Sequence, residues 1–266
     1  METTERNYMT LAECLYESSV RVKLERANQH LVDLMRDVEA MEGTERSRIV
    51  PKFNDEKTEV AFHLLFHKSH SPHRWAASVG DILNNLRSAL DHMVYALSVA
   101  HYKKIPPPNA KKCQFPIANT KEKWKGVKRR IEGVSIEAAR VIEAEQPYNR
   151  GDTPLARLHR LSNRDKHTVI SVAPVAMTDA HFTNITNLNG KIVRVEALRI
   201  PLISDTPLLR IMFSGPNPDF RCDVDVSLGV LLNDERGWVP MIKSMTACRD
   251  EVVRILALLK PHLCNG

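Results

Sequence analysis

The chain has 266 residues, 43% of them hydrophobic and 26% charged, a globular composition that excludes fibrous, low-complexity and largely disordered proteins. The formal net charge is +6, but the charge is unevenly distributed. The chain has 38 basic and 32 acidic residues. Ten of the basic residues and one of the acidic residues lie between Lys103 and Arg130, which gives this segment a charge of +9 and the rest of the chain a charge of −3. The basic character therefore belongs to one segment, which we call the cationic segment (residues 103–130).

Membrane and disulfide-rich classes are not expected. No apolar stretch approaches the ~20 residues that cross a bilayer, and the start METTERNYMT lacks the apolar core of a secretory signal. The five cysteines are an odd number without a C-x-x-C pair, so they predict neither a disulfide framework nor a zinc site. We expect a cytoplasmic protein without membrane contact.

Residues 1–167 are predicted to form a mainly helical half. Apolar residues recur at helical spacing from Thr10 to Glu42 and from Pro72 to Tyr102, which predicts two long amphipathic helices. Between them, alternating apolar residues predict a β-hairpin at about 48–67. Shorter helices are predicted from Ser135 to Glu145 and from Pro154 to Lys166.

The pattern changes to strands over residues 168–238. Runs of β-branched residues predict four or five antiparallel strands, with Asn189-Gly190 as the strongest hairpin turn. Residues 239–266 return to helical periodicity and are predicted to pack back on the helical half. We expect an α+β protein, a helical bundle on two long helices plus an antiparallel sheet that includes the early hairpin, in one integrated domain.

The second long helix has an unusual polar face. Between Asp81 and Tyr102 it contains no Lys and no Glu, the residues that normally solvate a helix. Each semi-buried polar group there needs a partner, because an unpaired one costs about 1 to 3 kcal/mol. Two interpretations stay open: a functional site, or a structural hydrogen-bond network that fixes helix packing. The candidate residues on this face are Asn84, Arg87, Ser88, Asp91 and His92.

A second polar group ends the last helix before the strands. It consists of Asn163, Asp165, Lys166 and His167, and in a compact fold it could meet Asp91 and His92. Two carboxylates and two imidazoles suit a divalent metal, but neither pair has the i,i+4 spacing of helical ligands. We predict no metal and no cofactor.

The sequence KEKWKGVKRR places six basic residues around Trp124. A base could stack on the indole ring beside charges that meet phosphates, which favours RNA or another polyanion as a partner. A solvated charged surface is the alternative explanation. The candidate nucleic-acid contacts are Lys121, Lys123, Trp124, Lys125, Lys128, Arg129 and Arg130.

Arg87 to His92 fits R-x-x-x-x-H and resembles the short motif of HEPN-type helical domains. The longer blocks NLRSALDH, CQFPI, EAEQPYN and LSNRDKH resemble a group of uncharacterised bacterial proteins, a resemblance that brings no activity with it. The HEPN resemblance implies a bundle that often dimerises and cleaves RNA without metal. It implies His92 as general acid or base, and Arg87 as the group that steadies phosphorane charge. Asp91 completes the candidate catalytic set.

Residues i and i+5 lie 140° apart on a helix, so Arg87 must swing round to join His92. The alternative function is that of a non-catalytic structural or partner-binding protein, in which the polar cluster only fixes helix packing.

Overall fold

The computed structural model describes residues 11–44, 48–65, 72–167, 170–197 and 207–264. Helices and strands are both present, which confirms the α+β class. The helices are α1 (Val22–Thr44), α2 (Pro72–Tyr102), α3 (Lys121–Val127), α4 (Ile136–Ala144), α5 (Pro147–Arg150), α6 (Pro154–His167) and α7 (Met241–Leu259). The strands are β1 (Arg48–Phe53), β2 (Glu59–Leu65), β3 (Val172–Thr186), β4 (Ile192–Ala197), β5 (Pro207–Phe213), β6 (Arg221–Asn233) and β7 (Trp238–Pro240).

The first long helix has a π-helical segment that its hydrophobic pattern does not indicate. Residues 11–15 are helical, Tyr16–Arg21 form the π-helical segment, and the chain continues without interruption into α1. A π-helical turn widens the helix locally and rotates the side chains that follow it, and such turns are frequent at functional sites. This segment carries Ser19, whose hydroxyl lies within hydrogen-bond distance of His92 on α2.

The predicted second helix is confirmed as α2, and it is the centre of the helical core. Its apolar side packs against α1, α6 and α7, so the C-terminal helix returns to the helical half as expected. Full burial of each Leu, Ile, Val or Met side chain contributes about 1.5 to 3 kcal/mol, which fixes the rotation of the helix and the direction of its polar face. The residues of this side, each at most 2% exposed, are Ile82, Leu83, Leu86, Ala89, Leu90, Met93, Val94, Ala96 and Leu97.

The strands form two antiparallel sheets, with orders β1-β2-β5-β4 and β3-β6-β7. The early hairpin joins the later strands through the pairing of β2 with β5, as the sequence predicts. The predicted hairpin at Asn189-Gly190 is wrong. β3 pairs along its length with β6, and β4 pairs with β5, so this turn carries the chain from one sheet to the other. Gly190 does adopt a positive φ of 87°, a conformation that favours glycine, although the strands on either side of it do not pair with each other.

Two hydrophobic clusters are connected by the β3–β6 ribbon. At one end of the ribbon, Val230 and Leu232 belong to the helical core. At the other end, Phe182 and Val224 pack against the second cluster, which is formed largely by β2 and β5. The β3–β6 ribbon therefore connects the four-stranded sheet to the helical core.

None of the described helices is long and apolar enough to span a bilayer.

Candidate functional site

Arg87 and Asp91 on α2 hold the same backbone unit from both sides. The Arg87 guanidinium donates a hydrogen bond to the Phe115 carbonyl oxygen, and the Asp91 carboxylate accepts the Phe115 N–H at 2.8 Å. The two side chains also face each other, with Arg87 Nη2 and Asp91 Oδ1 3.4 Å apart. Burial lowers the pKa of Arg87, while the charge of Asp91 opposes that shift. The pair is thus committed to the backbone of Phe115.

Gln146 holds the next residues of the same segment. Phe115, Pro116, Ile117 and Ala118 are all buried, and we call them the strap (residues 115–118). Gln146 Oε1 accepts the Ala118 N–H, and its Nε2 donates to the Pro116 carbonyl, both at 2.9 Å. Buried backbone groups outside regular structure need such side-chain partners. The blocks NLRSALDH, CQFPI and EAEQPYN therefore meet in one hydrogen-bond network.

This network corrects the expected role of Arg87. The sequence hypothesis requires Arg87 to swing toward His92, but its guanidinium points to the strap instead. The reason is geometric: positions i and i+5 lie on different sides of a helix, and a backbone carbonyl is available on Arg87's own side. Arg87 Nη1 is buried and has no hydrogen-bond partner within the part of the chain that is described. Arg87 positions the strap and does not line the cavity beside His92.

His92 faces an open cavity of about 300 Å³ between the π-helical segment and α2. Its Nδ1 lies 2.7 Å from Ser19 Oγ, so the widened turn supplies the partner that fixes the imidazole ring. Burial, reinforced by the positive charge of Lys23, lowers the pKa of His92 below 6.5. The neutral form of the imidazole therefore predominates at neutral pH. The cavity is lined by Leu15, Ser19, Asp91, His92, Tyr95 and Cys113.

Asp165, which the sequence suggests could meet Asp91 and His92, lies elsewhere along α2. Asp165 lies against Gly80, where a Cβ atom would stand only 2.9 Å from its Oδ1, and burial together with the nearby Asp81 raises its pKa. Gly80 precedes Asp91 by eleven residues, about 16 Å along a helix. The expected meeting of Asp165 with Asp91 and His92 is wrong, because α6 contacts α2 nearer its start.

The lining of the cavity includes none of Asn84, Ser88 and Asn163. Asn84 is exposed and Ser88 half-buried, and neither is a lining residue. Asn163 is exposed and contacts His159 on its own helix at 3.2 Å. The side chains of Lys166 and His167 lie outside the described part of the structure. Among the residues that are described, no three His, Cys, Asp or Glu side chains are arranged to hold a metal ion.

The basic sequence around Trp124 forms helix α3 and the 3-10 turn Lys128–Ile131. Trp124 is only 6% exposed and packs in the helical core against Tyr148, with ring centroids 6.1 Å apart. The expectation that a base stacks on this indole is wrong, because core burial takes both faces of the ring. The charged neighbours are nevertheless available. We call them the cationic surface, which comprises the exposed Lys121, Lys123, Lys125, Lys128 and Arg129 with the half-buried Arg130.

Two residues of these sites were missed by sequence reasoning. Ser19 could not be connected with His92, because nothing in a hydrophobic pattern marks a π-helical turn. Gln146 did carry a signal: it stands in the block EAEQPYN and is followed by Pro147, which opens α5. An uncharged side chain between two helices is a natural partner for buried backbone, but a sequence does not say which backbone.

Comparison with family models, with curated proteins and with solved structures finds no match to this chain.

Proposed function

We propose that this protein binds single-stranded RNA through the cationic surface and that His92 supplies acid–base chemistry on the bound strand. The observation that carries the proposal is the exposure of five basic side chains on α3 and the turn after it, while the tryptophan between them is buried. Within the described residues none of these five forms an ion pair. Unpaired Lys and Arg side chains gain most from phosphate contacts, because binding releases the counterions of the nucleic acid.

The environment of His92 supports the chemical part of the proposal. His92 Nδ1 lies 2.7 Å from Ser19 Oγ, and in the tautomer that carries its proton on Nδ1 the Nε2 atom is an acceptor. Nε2 takes the proton of a ribose 2′-hydroxyl, that oxygen attacks the adjacent phosphorus, and the bond from phosphorus to the 5′-oxygen breaks. The leaving 5′-oxygen takes a proton from water, and the imidazolium returns its proton to the solvent. The products are a 2′,3′-cyclic phosphate and a 5′-hydroxyl. This route keeps the HEPN-like use of the histidine and gives Arg87 a positioning role.

The strap network favours a second candidate, the non-catalytic alternative. Arg87 and Asp91 have a complete structural task in holding Phe115, and no reaction is needed to explain their presence on α2. In that case the protein binds RNA without cleaving it. His92 then only anchors the π-helical segment to α2.

Cleavage of a labelled single-stranded RNA in the presence of a metal chelator separates the two candidates. The enzyme hypothesis expects a 2′,3′-cyclic phosphate product from the wild-type protein, and its loss in His92→Gln with an unchanged unfolding midpoint. If the wild type binds this RNA without cleaving it, the enzyme hypothesis is excluded and the non-catalytic binding function remains.

A salt titration of RNA affinity tests the binding part. Replacement of Lys123, Lys125, Lys128 and Arg129 by Gln should flatten the dependence of log K on log salt, by about 0.7 for each phosphate that the variant no longer neutralises. An unchanged slope would exclude the cationic surface as the RNA-binding surface.

The HEPN resemblance also implies a homodimer. Light scattering of the RNA-free protein is expected to give twice the chain mass of 30.2 kDa. A single-chain mass would remove the dimer from the proposal.

A further inference from the structure

A second open space, lined by polar residues and larger than the cavity at His92, lies beside the cationic surface. It is a groove of about 670 Å³ between the start of α3 and the helices α4 and α5. We call it the α3–α5 groove. Its lining residues are Asn119, Thr120, Lys121, Arg140, Glu143, Ala144, Tyr148 and Asn149.

The charged side chains that line the groove are Lys121, Arg140 and Glu143, two positive and one negative. Lys121 and Arg140 are both exposed, and within the described residues neither forms an ion pair. The acid of the groove, Glu143, is engaged, because its Oε1 accepts a hydrogen bond from the Tyr148 hydroxyl at 2.8 Å. An anion entering the groove therefore meets two cations without ion-pair partners among the described residues and one carboxylate, which keeps its negative charge while it accepts the Tyr148 hydroxyl.

Tyr148 gives the groove an aromatic wall held in place by its surroundings. The ring packs against buried Trp124, with centroids 6.1 Å apart and planes tilted by 47°, and its hydroxyl donates a hydrogen bond to Glu143. The neighbouring Asn149 ties α5 to α4 by donating to the Glu143 carbonyl at 2.8 Å. A half-buried ring that is backed by the core and lines an open groove is a stacking platform for a base, since stacking tolerates any base and loses little entropy on a preset ring.

The groove is continuous with the cationic surface. Lys121 lines the groove, and Lys125 lies one helical turn further along α3 on the same side. A strand whose base lies in the groove can thus continue along α3 with its phosphates beside successive lysines.

We infer that the α3–α5 groove is a nucleotide subsite, in which Tyr148 stacks on one base of single-stranded RNA and Lys121 and Arg140 contact its flanking phosphates. The inference rests on the proposed RNA binding and assigns to Tyr148 the stacking role that buried Trp124 cannot fill. It also predicts a preference for single strands, because a base inside a duplex is not free to leave its stack.

The test compares two variants of one ring. Affinity for a fluorescein-labelled oligouridine of roughly ten nucleotides, a length within the usual site size, is measured by anisotropy. Tyr148→Phe keeps the ring and should bind within about twofold of the wild type. Tyr148→Leu keeps an apolar side chain without a ring face and should bind about five- to hundredfold more weakly, the range expected when one base loses its stacking partner. Equal binding by the Phe and Leu variants would overturn the inference.

A surface variant keeps the test decisive if Tyr148→Leu fails to fold. Arg140→Gln changes an exposed side chain and should lower the salt-dependence slope by about 0.7, which corresponds to one phosphate. Arg26→Gln, at an exposed position on α1 outside the groove, is the matched control and should leave the slope unchanged. An identical slope for Arg140→Gln and the wild type would also overturn the inference.

The outcomes separate this inference from the proposed function. If the wild type does not bind the oligouridine at all, the proposed function fails. If it binds, and replacement of Lys123, Lys125, Lys128 and Arg129 weakens binding while the groove variants do not, only the subsite fails. A duplex of the same length that competes equally well would likewise contradict the stacking role of Tyr148.

Discussion

The carboxylate of Asp91 accepts the backbone N–H of Phe115 at 2.8 Å, although 24 residues separate them in the chain. One turn earlier on α2, Arg87 donates to the carbonyl of that same residue. Side chains of α2 therefore provide hydrogen-bond partners for both the N–H and the carbonyl of Phe115, as a neighbouring strand does in a sheet. The cationic surface begins only three residues after the strap, so the network also anchors that surface to the core.

The Asp91–Phe115 hydrogen bond should contribute measurably to stability. Asp91→Ala leaves the Phe115 N–H without its partner and removes the carboxylate that faces Arg87, although Arg87 keeps its hydrogen bond to the Phe115 carbonyl. We expect a loss of about 1 to 3 kcal/mol in the free energy of unfolding. Urea denaturation measures it. Asn84→Ala, at an exposed position on the same helix, is the control and should change stability by less than about 0.5 kcal/mol. Equal midpoints for the two variants would show that the network is not stabilising.

Gln146 should be coupled energetically to Asp91, because both hold the strap. Gln146→Ala removes the partners of the Ala118 N–H and the Pro116 carbonyl and should cost about 2 to 4 kcal/mol. Once one anchor has gone, the strap is already loosened, so the double variant should lose less than the sum by about 1 kcal/mol. Strict additivity in the double-mutant cycle would mean that the two anchors act independently.

His92 should make stability depend on pH near neutrality. Its pKa is lowered in the folded protein by burial, so the unfolded chain binds a proton more readily as the pH falls below 6.5. The contribution is complete above 6.5 and is lost as the pH falls through the folded pKa. Urea denaturation of the wild type and of His92→Gln, from about pH 8 to about pH 5, should show a steeper fall for the wild type. Parallel curves would contradict the assignment.

An ion-pair cluster between α4 and α7 predicts acid sensitivity. Arg254 of α7 donates to Glu145 at the end of α4, and this interaction, with help from Arg150, holds the pKa of Glu145 below 4.5. A depressed carboxyl pKa contributes stability that is present above the unfolded value and is lost as the pH falls through the folded one. Glu145→Gln should therefore cost about 1 to 2 kcal/mol at pH ~7, discounted because Arg254 is 38% exposed. Its cost should shrink below pH ~4, and a constant difference down to pH ~3 would refute this origin.

The local pattern of the chain predicted much of the secondary structure. α2 begins and ends where the sequence places it, since apolar spacing, the proline run after Tyr102 and the absence of an interior proline act within a few residues. The early hairpin and the C-terminal helix are also confirmed, because strand alternation and helical periodicity are properties of a short window.

Pairings between distant segments were predicted less well. Gly190 adopts a positive φ, yet the strands on either side of it lie in different sheets, because β3 pairs with β6 and β4 pairs with β5. The lysines around Trp124 indicated an exposed aromatic side chain. Trp124 instead lies on the side of α3 that packs in the core, and its indole is buried.

For the candidate site, too, local features could be predicted from the sequence, whereas contacts between distant segments could not. The sequence by itself determined that the face of α2 from Asn84 to His92 is polar, lacks solvating lysines and needs partners, because composition and helical geometry dictate that much. Only the tertiary structure decided which partners they are: the strap for Arg87 and Asp91, and Ser19 of a π-helical segment for His92. The physical reason is that a helix fixes the direction of a side chain, whereas the identity of the group it meets depends on long-range packing, which the local pattern does not encode.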